Sequence, residues 1–206
     1  MAGRFILVRH GETEWNRKGK MQGWRDVGLN QTGRYQAQMA GVGLKDERVD
    51  RVFSSDLARA YETVKIISEV HGVDVVRMRE FRERNMGELE GLDKVLFRKR
   101  YFHIYNRWRN FVMDNKDWEG VGGETDEELF ERVKKGVEKL KKYDKETVLV
   151  GLHGQSKIAF LMVLGLKKEI KKLKYGFRNT GVTIVEKGRG GYRSIKFGDN
   201  SHLLIG

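Results

Sequence analysis

The chain has 206 residues, of which 39% are hydrophobic and 34% are charged, and its formal net charge is +12. This length suits a single domain with a sizeable core, and the charge favours anionic partners such as phosphorylated metabolites, nucleic acid or acidic membrane surfaces. The lack of cysteine excludes disulfides, thiolate catalysis and cysteine-based zinc sites, and no apolar run is long enough to span a membrane, so we expect a cytoplasmic protein.

The first predicted strand is the apolar run 5–8, which leads directly into Arg9, His10 and Gly11. Its lack of polar alternation predicts a strand buried on both faces, and ligands bind where such parallel strands end. Arginine matches the geometry of phosphate oxygens, and a neutral histidine can attack phosphorus through a ring nitrogen. A strand-ending Arg-His pair without chemistry is the alternative for so short a motif.

The rest of the chain alternates strand patterns with helical patterns. Helices are predicted at 32–44, from residue 55 or 56 to about 70, and at 156–164. Further strands are predicted at 49–54, 73–76, 147–152, 182–185 and 194–197. This alternation predicts an α/β fold, a three-layer sandwich whose mostly parallel central sheet carries helices on both faces.

Two of these helices have a defined face or cap. In the helix 32–44, Tyr35, Met39 and Val42 are predicted to share one face. The following helix is expected to be capped by Ser55 or Asp56, since both side chains can accept hydrogen bonds from the first turn. Its apolar positions recur at helical spacing, at Leu57, Ala60, Val64 and Ile67.

Residues from about 91 to 143 are predicted to form a helical insert within a single domain spanning 1–206. One helix is expected to carry an apolar stripe, formed by Phe97, Tyr101, Ile104, Trp108 and Phe111. Its other side is a basic face, formed by Arg100, His103 and Arg107. Because the aromatic residues fall at helical spacing, core packing is favoured over stacking on nucleic acid. A second helix is predicted to begin near Thr125, with Glu128 completing a capping box.

Three later positions place reactive side chains after predicted strands. Arg59 follows the strand 49–54, where a surface arginine on a capped helix is the alternative. Glu83 lies in a loop, as part of a solvated charge run or as a general acid that protonates a leaving alkoxide. His153 and Gly154 repeat the opening motif, either as a histidine bonded to backbone or as a group that stabilises charge on a transferring phosphoryl group.

Together these motifs resemble the histidine phosphatase superfamily, in the branch that includes cofactor-dependent phosphoglycerate mutase and related broad-range phosphatases. The resemblance covers nearly the whole chain, from Arg4 to Leu203. It is specific because several well-separated motifs occur in the family's order. The matching residues are Arg9-His10-Gly11-Glu12-Thr13, Asn16, Gln22-Gly23-Trp24, Asp26, Leu29, Ser54-Ser55-Asp56-Leu57, Arg59-Ala60, Glu62-Thr63, Glu83, Gly87, Glu90-Gly91, Gly122-Gly123-Glu124, His153-Gly154, Asn179 and residues 200–203.

The resemblance implies a role for each candidate site residue. His10 is expected to be the nucleophile that becomes a phosphohistidine, and Glu83 the proton donor to the leaving group and then the base for water. The phosphoryl group is expected to be held by Arg9, Arg59 and His153, with Asn16, Gln22, Gly23 and Gly154 as further binding residues. Two arginines and a histidine can neutralise a phosphoryl group, so we expect no metal and no cofactor. The expected partner is a small phosphorylated metabolite rather than nucleic acid or a membrane.

Three functions stay open at this point. The first is a metal-independent phosphatase, the second a cofactor-dependent phosphoglycerate mutase, and the third a non-catalytic module that binds phosphate or RNA. The stretch between Glu83 and His153 is short compared with mutases, and Asn85 stands where mutases tend to have histidine, which favours the phosphatase. Gly28 and Val121 stand where the family commonly has proline. The resemblance also implies that the insert caps the site, so we expect its basic face to tune substrate choice.

Overall fold

The structure is a computed structural model that describes residues 3–109, 115–171, 173 and 176–204. Its strands are β1 (Arg4–Arg9), β2 (Arg51–Ser55), β3 (Val75–Met78), β4 (Thr147–Leu152), β5 (Val182–Gly188) and β6 (Gly191–Asp199). Its helices are α1 (Glu14–Arg17), α2 (Gln31–Leu44), α3 (Ala58–Glu69), α4 (Lys94–Arg100), α5 (Phe102–Arg109), α6 (Asn115–Glu119), α7 (Asp126–Leu140), α8 (Gly154–Val163) and α9 (Lys167–Ile170). Among the described residues, none of these helices is both long enough and apolar enough to cross a membrane.

The strands form one six-stranded sheet in the order β3-β2-β4-β1-β5-β6. The pairs β3–β2, β2–β4 and β4–β1 are parallel, whereas β5 runs antiparallel to both β1 and β6. The predicted α/β fold with a mostly parallel sheet is therefore confirmed. The last two strands form a hairpin instead of a helical crossover, because only the two residues Arg189 and Gly190 separate β5 from β6.

Helices cover both faces of this sheet. One face packs against α2 and α3 through a cluster that contains Ile6, Val8, Ala40, Leu44, Val64 and Ile67. The opposite face packs against α7 and α8 through a cluster that contains Phe5, Leu7, Val133, Val137 and Phe160. The central strands β1 and β4 are thus buried on both sides, as their uninterrupted apolar sequences predict.

The face of α2 that carries Tyr35 and Val42 is not the face that packs against the core. Tyr35 is 51% exposed and Val42 is 49% exposed, while the buried residues are Gly33, Ala37, Ala40, Gly41 and Leu44. Small residues allow α2 to lie close to its neighbours: a Cβ added to Gly33 would lie 2.1 Å from the backbone oxygen of Glu12. Large apolar residues therefore do not mark the buried face of α2, because its close approach to neighbouring backbone requires small residues.

The predicted cap of α3 is wrong. Leu57 occupies the N-cap position, and the backbone N–H of Ala58 donates to Asp26 Oδ1 at 2.7 Å. Asp56 instead accepts two hydrogen bonds from Arg82, at 2.8 and 2.7 Å. The capping carboxylate comes from a distant loop, so the local sequence cannot reveal it.

The long helix predicted around the apolar stripe is broken at Tyr101, whose φ of −130° and ψ of 52° end α4 before α5 begins. Phe97 is buried in a small cluster of its own, together with Met21, Met86, Leu89, Trp118 and Val121, and the half-buried Tyr101 and Ile104 pack against it. Phe111 and the side chain of Trp108 lie outside the described residues. The capping box of Thr125 and Glu128 is confirmed at the start of α7.

Candidate active site

His10 and His153 lie side by side because β1 and β4 are neighbouring parallel strands. Arg9 pairs with Leu152 in register, so the two histidines are the first residues beyond the two strand ends. The backbone N–H of His10 donates to Leu152 O at 3.0 Å, and the two imidazole centroids are 5.2 Å apart. The repeated strand-histidine-glycine pattern thus brings both rings to one edge of the sheet.

The imidazole of His10 is buried and has a defined tautomer. Its Nδ1 lies 2.7 Å from the carbonyl oxygen of Gly11, which can only accept, so Nδ1 carries the proton and Nε2 keeps its lone pair. Gly11 is required there, since an added Cβ would lie 2.5 Å from Gly33 O. Burial, followed by the charges of Arg9 and Arg59, lowers the pKa of His10 well below its ordinary value of 6.5. The ring is therefore neutral, as a nucleophilic imidazole must be.

His153 is fully buried and is oriented by Arg59. The Arg59 Nε–H donates to His153 Nδ1 at 3.2 Å, so the proton of the neutral ring is on Nε2. That Nε2–H has no hydrogen-bond partner among the described residues. Burial is the main cause that lowers the pKa of His153 well below 6.5, followed by the charge of Arg59. The arrangement leaves one buried donor available to an anion next to His10.

Arg59 has no exposed surface and is held on three sides. Besides its bond to His153, it donates from Nη1 to Arg25 O at 2.8 Å and from Nη2 to Gly23 O at 2.7 Å. Burial lowers the pKa of Arg59 to about 10, partly offset by the carboxylate of Glu83. The guanidinium therefore stays charged at neutral pH.

Arg9 lies at the end of β1 and is fixed by a distant loop. Its Nη1 donates to the carbonyl oxygen of Phe177, while its buried Nε has no partner among the described residues. Burial lowers the pKa of Arg9 below its ordinary value, and the negative charge of the nearby Glu83 offsets only part of this shift. Arg9 and Arg59 are both close enough to the two histidines for their charges to lower the pKa of His10 and of His153.

The Glu83 side chain lies against the first turn of α8. Its Oε1 accepts the backbone N–H groups of Gln155 at 3.0 Å and of Ser156 at 3.3 Å, and the N-terminus of a helix stabilises a carboxylate. Its backbone oxygen accepts Trp24 Nε1–H at 2.7 Å and Arg132 Nη2–H at 3.2 Å. This carboxylate is therefore a fixed and buried group, not part of a solvated charge run.

Of the predicted binding residues, Asn16 lies within α1 and Gln22 lies in the loop that follows it. Asn16 Oδ1 accepts from the amide of Asn179 at 3.3 Å, and Gln22 Oε1 accepts from Thr13 Oγ1 at 3.0 Å. These acceptor contacts leave the side-chain NH₂ groups of both residues as donors. Gly23 adopts a positive φ of 52°, which favours glycine at that turn.

These residues surround a cavity of about 320 Å³, and its lining includes two sets of residues, the buried wall and the lysine wall. The buried wall contains His10, Arg59 and Glu83, and the lysine wall contains Lys20, Met21, Met86 and Lys94. The remaining lining residues are Arg9, Asn16, Gly19, Gln22 and Gly23. His153 and Gly154 lie outside this lining, and they join the site through Arg59 and through Glu83, whose Oε2 lies 3.5 Å from the Cβ position of Gly154.

The sequence analysis did not identify Lys20 and Lys94 as site residues. It placed the positive charge near the site on the basic face instead. Arg100, His103 and Arg107 are exposed and do not belong to the lining, and Arg107 pairs with Asp117. Asp93 is a signal that could have drawn attention to Lys94. Its side chain caps the start of α4, so an aspartate at this position predicts that Lys94 begins the helix. Among the residues that the structure describes, no cluster of three histidine or carboxylate side chains is arranged to hold a metal ion.

Comparisons with known proteins agree with this arrangement. A family model described as the histidine phosphatase superfamily (branch 1) matches residues 5–200. The uncharacterized phosphatase PhoE of Bacillus subtilis is 34% identical over 96% of this chain and 95% of its own length. A 2,3-bisphosphoglycerate-dependent phosphoglycerate mutase of a Chelativorans species is 39% identical over 90% of this chain and 92% of its own.

Similarity to solved structures extends over the same length. The structure of a mycobacterial glucosyl-3-phosphoglycerate phosphatase is similar with a TM-score of 0.82 and 26% identity, covering 96% of this chain and 99% of that one. These three relatives therefore include phosphatases and a mutase, and each of them covers at least 90% of this chain. The chain belongs to branch 1 of the histidine phosphatase superfamily.

Proposed function

We propose that this protein is a phosphatase that hydrolyses small phosphomonoesters through a phosphohistidine on Nε2 of His10. The observation that carries the proposal is the pair of buried imidazoles 5.2 Å apart, one with a free lone pair and the other with an unpartnered N–H. A phosphoryl group between them would meet a nucleophile on one ring and a hydrogen-bond donor on the other. Arg9 and Arg59 supply the positive charge that its oxygens require, so the proposed reaction uses no metal or cofactor.

In the first proposed step, His10 Nε2 attacks phosphorus, the new P–N bond forms and the P–O bond to the leaving group breaks. The leaving alkoxide takes a proton from the carboxyl of Glu83. In the free protein the backbone N–H groups of Gln155 and Ser156 hold Glu83 Oε1 in place at the edge of the site.

In the second proposed step, water replaces the alcohol. The Glu83 carboxylate removes a proton from this water, its oxygen bonds to phosphorus, and the P–N bond to His10 breaks. The products are inorganic phosphate and neutral His10, while Glu83 regains the proton it gave to the alcohol. The hydrogen bond that His10 Nδ1–H donates to Gly11 O, with 2.7 Å between nitrogen and oxygen, would keep the imidazole in the same orientation through both steps.

The lysine wall supports a substrate class. Lys20 and Lys94 line the same cavity as the residues that would hold the phosphoryl group, and each contributes an ammonium group. Met21 and Met86 line the same wall and offer apolar surface to the rest of the molecule. We therefore infer a small phosphorylated metabolite with a second anionic group, such as a carboxylate, in its leaving portion.

A phosphoglycerate mutase is the second candidate, favoured by the 39% identity to the Chelativorans mutase. A mutase must hold its bisphosphate intermediate while it reorients and must exclude water. Asn85 does not support that role here, since it lies outside the cavity lining and its Oδ1 accepts the N–H of Gly87 at 2.9 Å. A non-catalytic phosphate- or RNA-binding module would not need the free lone pair on His10.

The two enzymatic candidates are separated by supplying 3-phosphoglycerate together with 2,3-bisphosphoglycerate and following 2-phosphoglycerate and free phosphate in the same mixture. We expect phosphate release to exceed isomerisation, because water reaches the phosphohistidine before a second acceptor does. The His10→Ala variant is the control for contaminating activity. Isomerisation that clearly outpaces phosphate release would replace the phosphatase proposal with the mutase.

A further inference from the structure

Lys157 is a fully buried lysine that the proposed mechanism does not use. It lies on α8, one turn after His153. Its Nζ donates to the backbone oxygen of Gly181 at 2.7 Å and lies 4.1 Å from the ring centroid of Phe177. Burial is the main cause that lowers its pKa well below 10.5. A buried amine is costly unless it is hydrogen-bonded, so its position calls for an explanation.

Lys157 contacts both ends of a short segment, residues 177–181, which lies next to Arg9 and His10. Within it, Phe177 O accepts from Arg9 Nη1, and the N–H of Thr180 donates to Arg9 O at 3.0 Å. Asn179 Nδ2 donates to His10 O at 2.9 Å. The segment therefore fixes the Arg9 guanidinium and the backbone of His10 at the same time.

This segment does not adopt a relaxed conformation. Thr180 has a φ of 52°, which is unfavourable for a residue with a branched side chain. Its Oγ1 donates to Asn179 O at 2.8 Å and lies 3.1 Å from Nε2 of the buried His202. Such a conformation persists only when its surroundings hold it, and Lys157 contacts both the residue that binds Arg9 and the residue that ends the segment.

We propose that Lys157 is a positioning residue, which anchors the segment 177–181 through Phe177 and Gly181 and thereby holds the Arg9 guanidinium toward the phosphoryl group. This inference rests on the proposed function in one respect, namely that Arg9 binds the phosphoryl group. A lysine that only filled space in the core could be replaced by methionine without any effect on phosphate binding, because methionine has a similar length.

The experiment measures the affinity for inorganic phosphate, by titration calorimetry, in four proteins: the wild type, Lys157→Met, Arg9→Gln and the double variant. Arg9→Gln and Lys157→Met should each weaken phosphate binding by about tenfold, which corresponds to one charge-assisted hydrogen bond. The double variant should bind no more weakly than Arg9→Gln alone, because Lys157 acts through Arg9.

Leu161→Ala is the matched control, since Leu161 is buried on the same helix and its truncation lowers stability, while its apolar side chain makes no hydrogen bond to the segment 177–181. It should bind phosphate like the wild type. If Lys157→Met does not fold, Lys157→Gln replaces it in the same cycle with the same expected non-additivity. Wild-type affinity in the Lys157 variant, or losses that add in the double variant, would overturn the inference. A wild-type Kd in Arg9→Gln would instead count against the proposed function.

Discussion

The buried wall and the lysine wall of the cavity are built by different means. His10, Arg59 and Glu83 are buried and are held mainly by backbone groups of strands, turns and the first turn of α8. Lys94 is exposed, and Lys20 makes a distant contact of 5.7 Å with the ring of Trp15. In the proposed function, the chemistry therefore depends on groups fixed by the fold, whereas substrate selection depends on lysines that can change without altering the fold.

The largest effect should come from the buried wall. His10→Ala should lower turnover to below about one-thousandth of the wild type, because it removes the nucleophile while the remaining groups still bind phosphate. The protein should stay folded by circular dichroism, and His103→Ala, at an exposed position outside the lining, should keep wild-type turnover. Substantial hydrolysis by the His10 variant would exclude a covalent role for this residue.

Glu83→Gln should have the next largest effect, and the effect should depend on the leaving group. Hydrolysis of alkyl phosphates should fall by about 10²- to 10⁴-fold, because their alkoxides need a proton as they leave. The step that releases nitrophenolate needs little protonation, so the pre-steady-state burst with nitrophenyl phosphate should be much less affected. Equal losses in both assays would show that Glu83 does not donate the proton.

The lysine wall should change affinity without changing the chemical step. Lys94→Met should raise KM about two- to fivefold for a phosphate ester with a second carboxylate, as expected for one exposed ion pair, and leave kcat unchanged. KM for nitrophenyl phosphate should stay the same, and added salt should reduce the difference between the two proteins. Arg100→Met, on the basic face, is the control. If it raised KM equally, the substrate would extend onto the basic face.

The smallest effect should arise outside both walls, at Gly28. Its backbone is not in the left-handed region, and a Cβ added there would meet nothing within 4 Å. Gly28→Pro should therefore increase the free energy of unfolding by about 0.4–1 kcal/mol, through the entropy of the unfolded chain. The measurement is chemical denaturation. A clear loss of stability would show that this loop needs a backbone conformation that proline cannot adopt.

Much of the buried wall could be predicted from the sequence. The strand 147–152 was predicted with the bounds that β4 has, because its apolar run is uninterrupted and ends at a histidine and a glycine. Since parallel strands end at the same edge, His10 and His153 were expected to meet. The catalytic roles of these residues stay predictions, and so do the boundaries of the insert and the cytoplasmic location.

What the sequence could not reveal depends on contacts between distant segments. Asp26 caps α3 from another loop, and small residues turn α2 so that Tyr35 faces solvent. Lys157 carries no local signal of its burial, because a lysine in a helical pattern is expected on the surface. Its role follows only from what the folded chain brings near it.

The central claim is that His10 carries the phosphoryl group, and trapping the phosphoenzyme tests it most directly. Glu83→Gln lacks the base that activates water, so mixing it with nitrophenyl phosphate should cause the intermediate to accumulate. After an alkaline quench, which preserves phosphohistidine, mass spectrometry should locate one phosphoryl group on the peptide containing His10. The account predicts about one phosphoryl group per active site, and none in Glu83→Gln combined with His10→Ala. A phosphoryl group on another residue would contradict it.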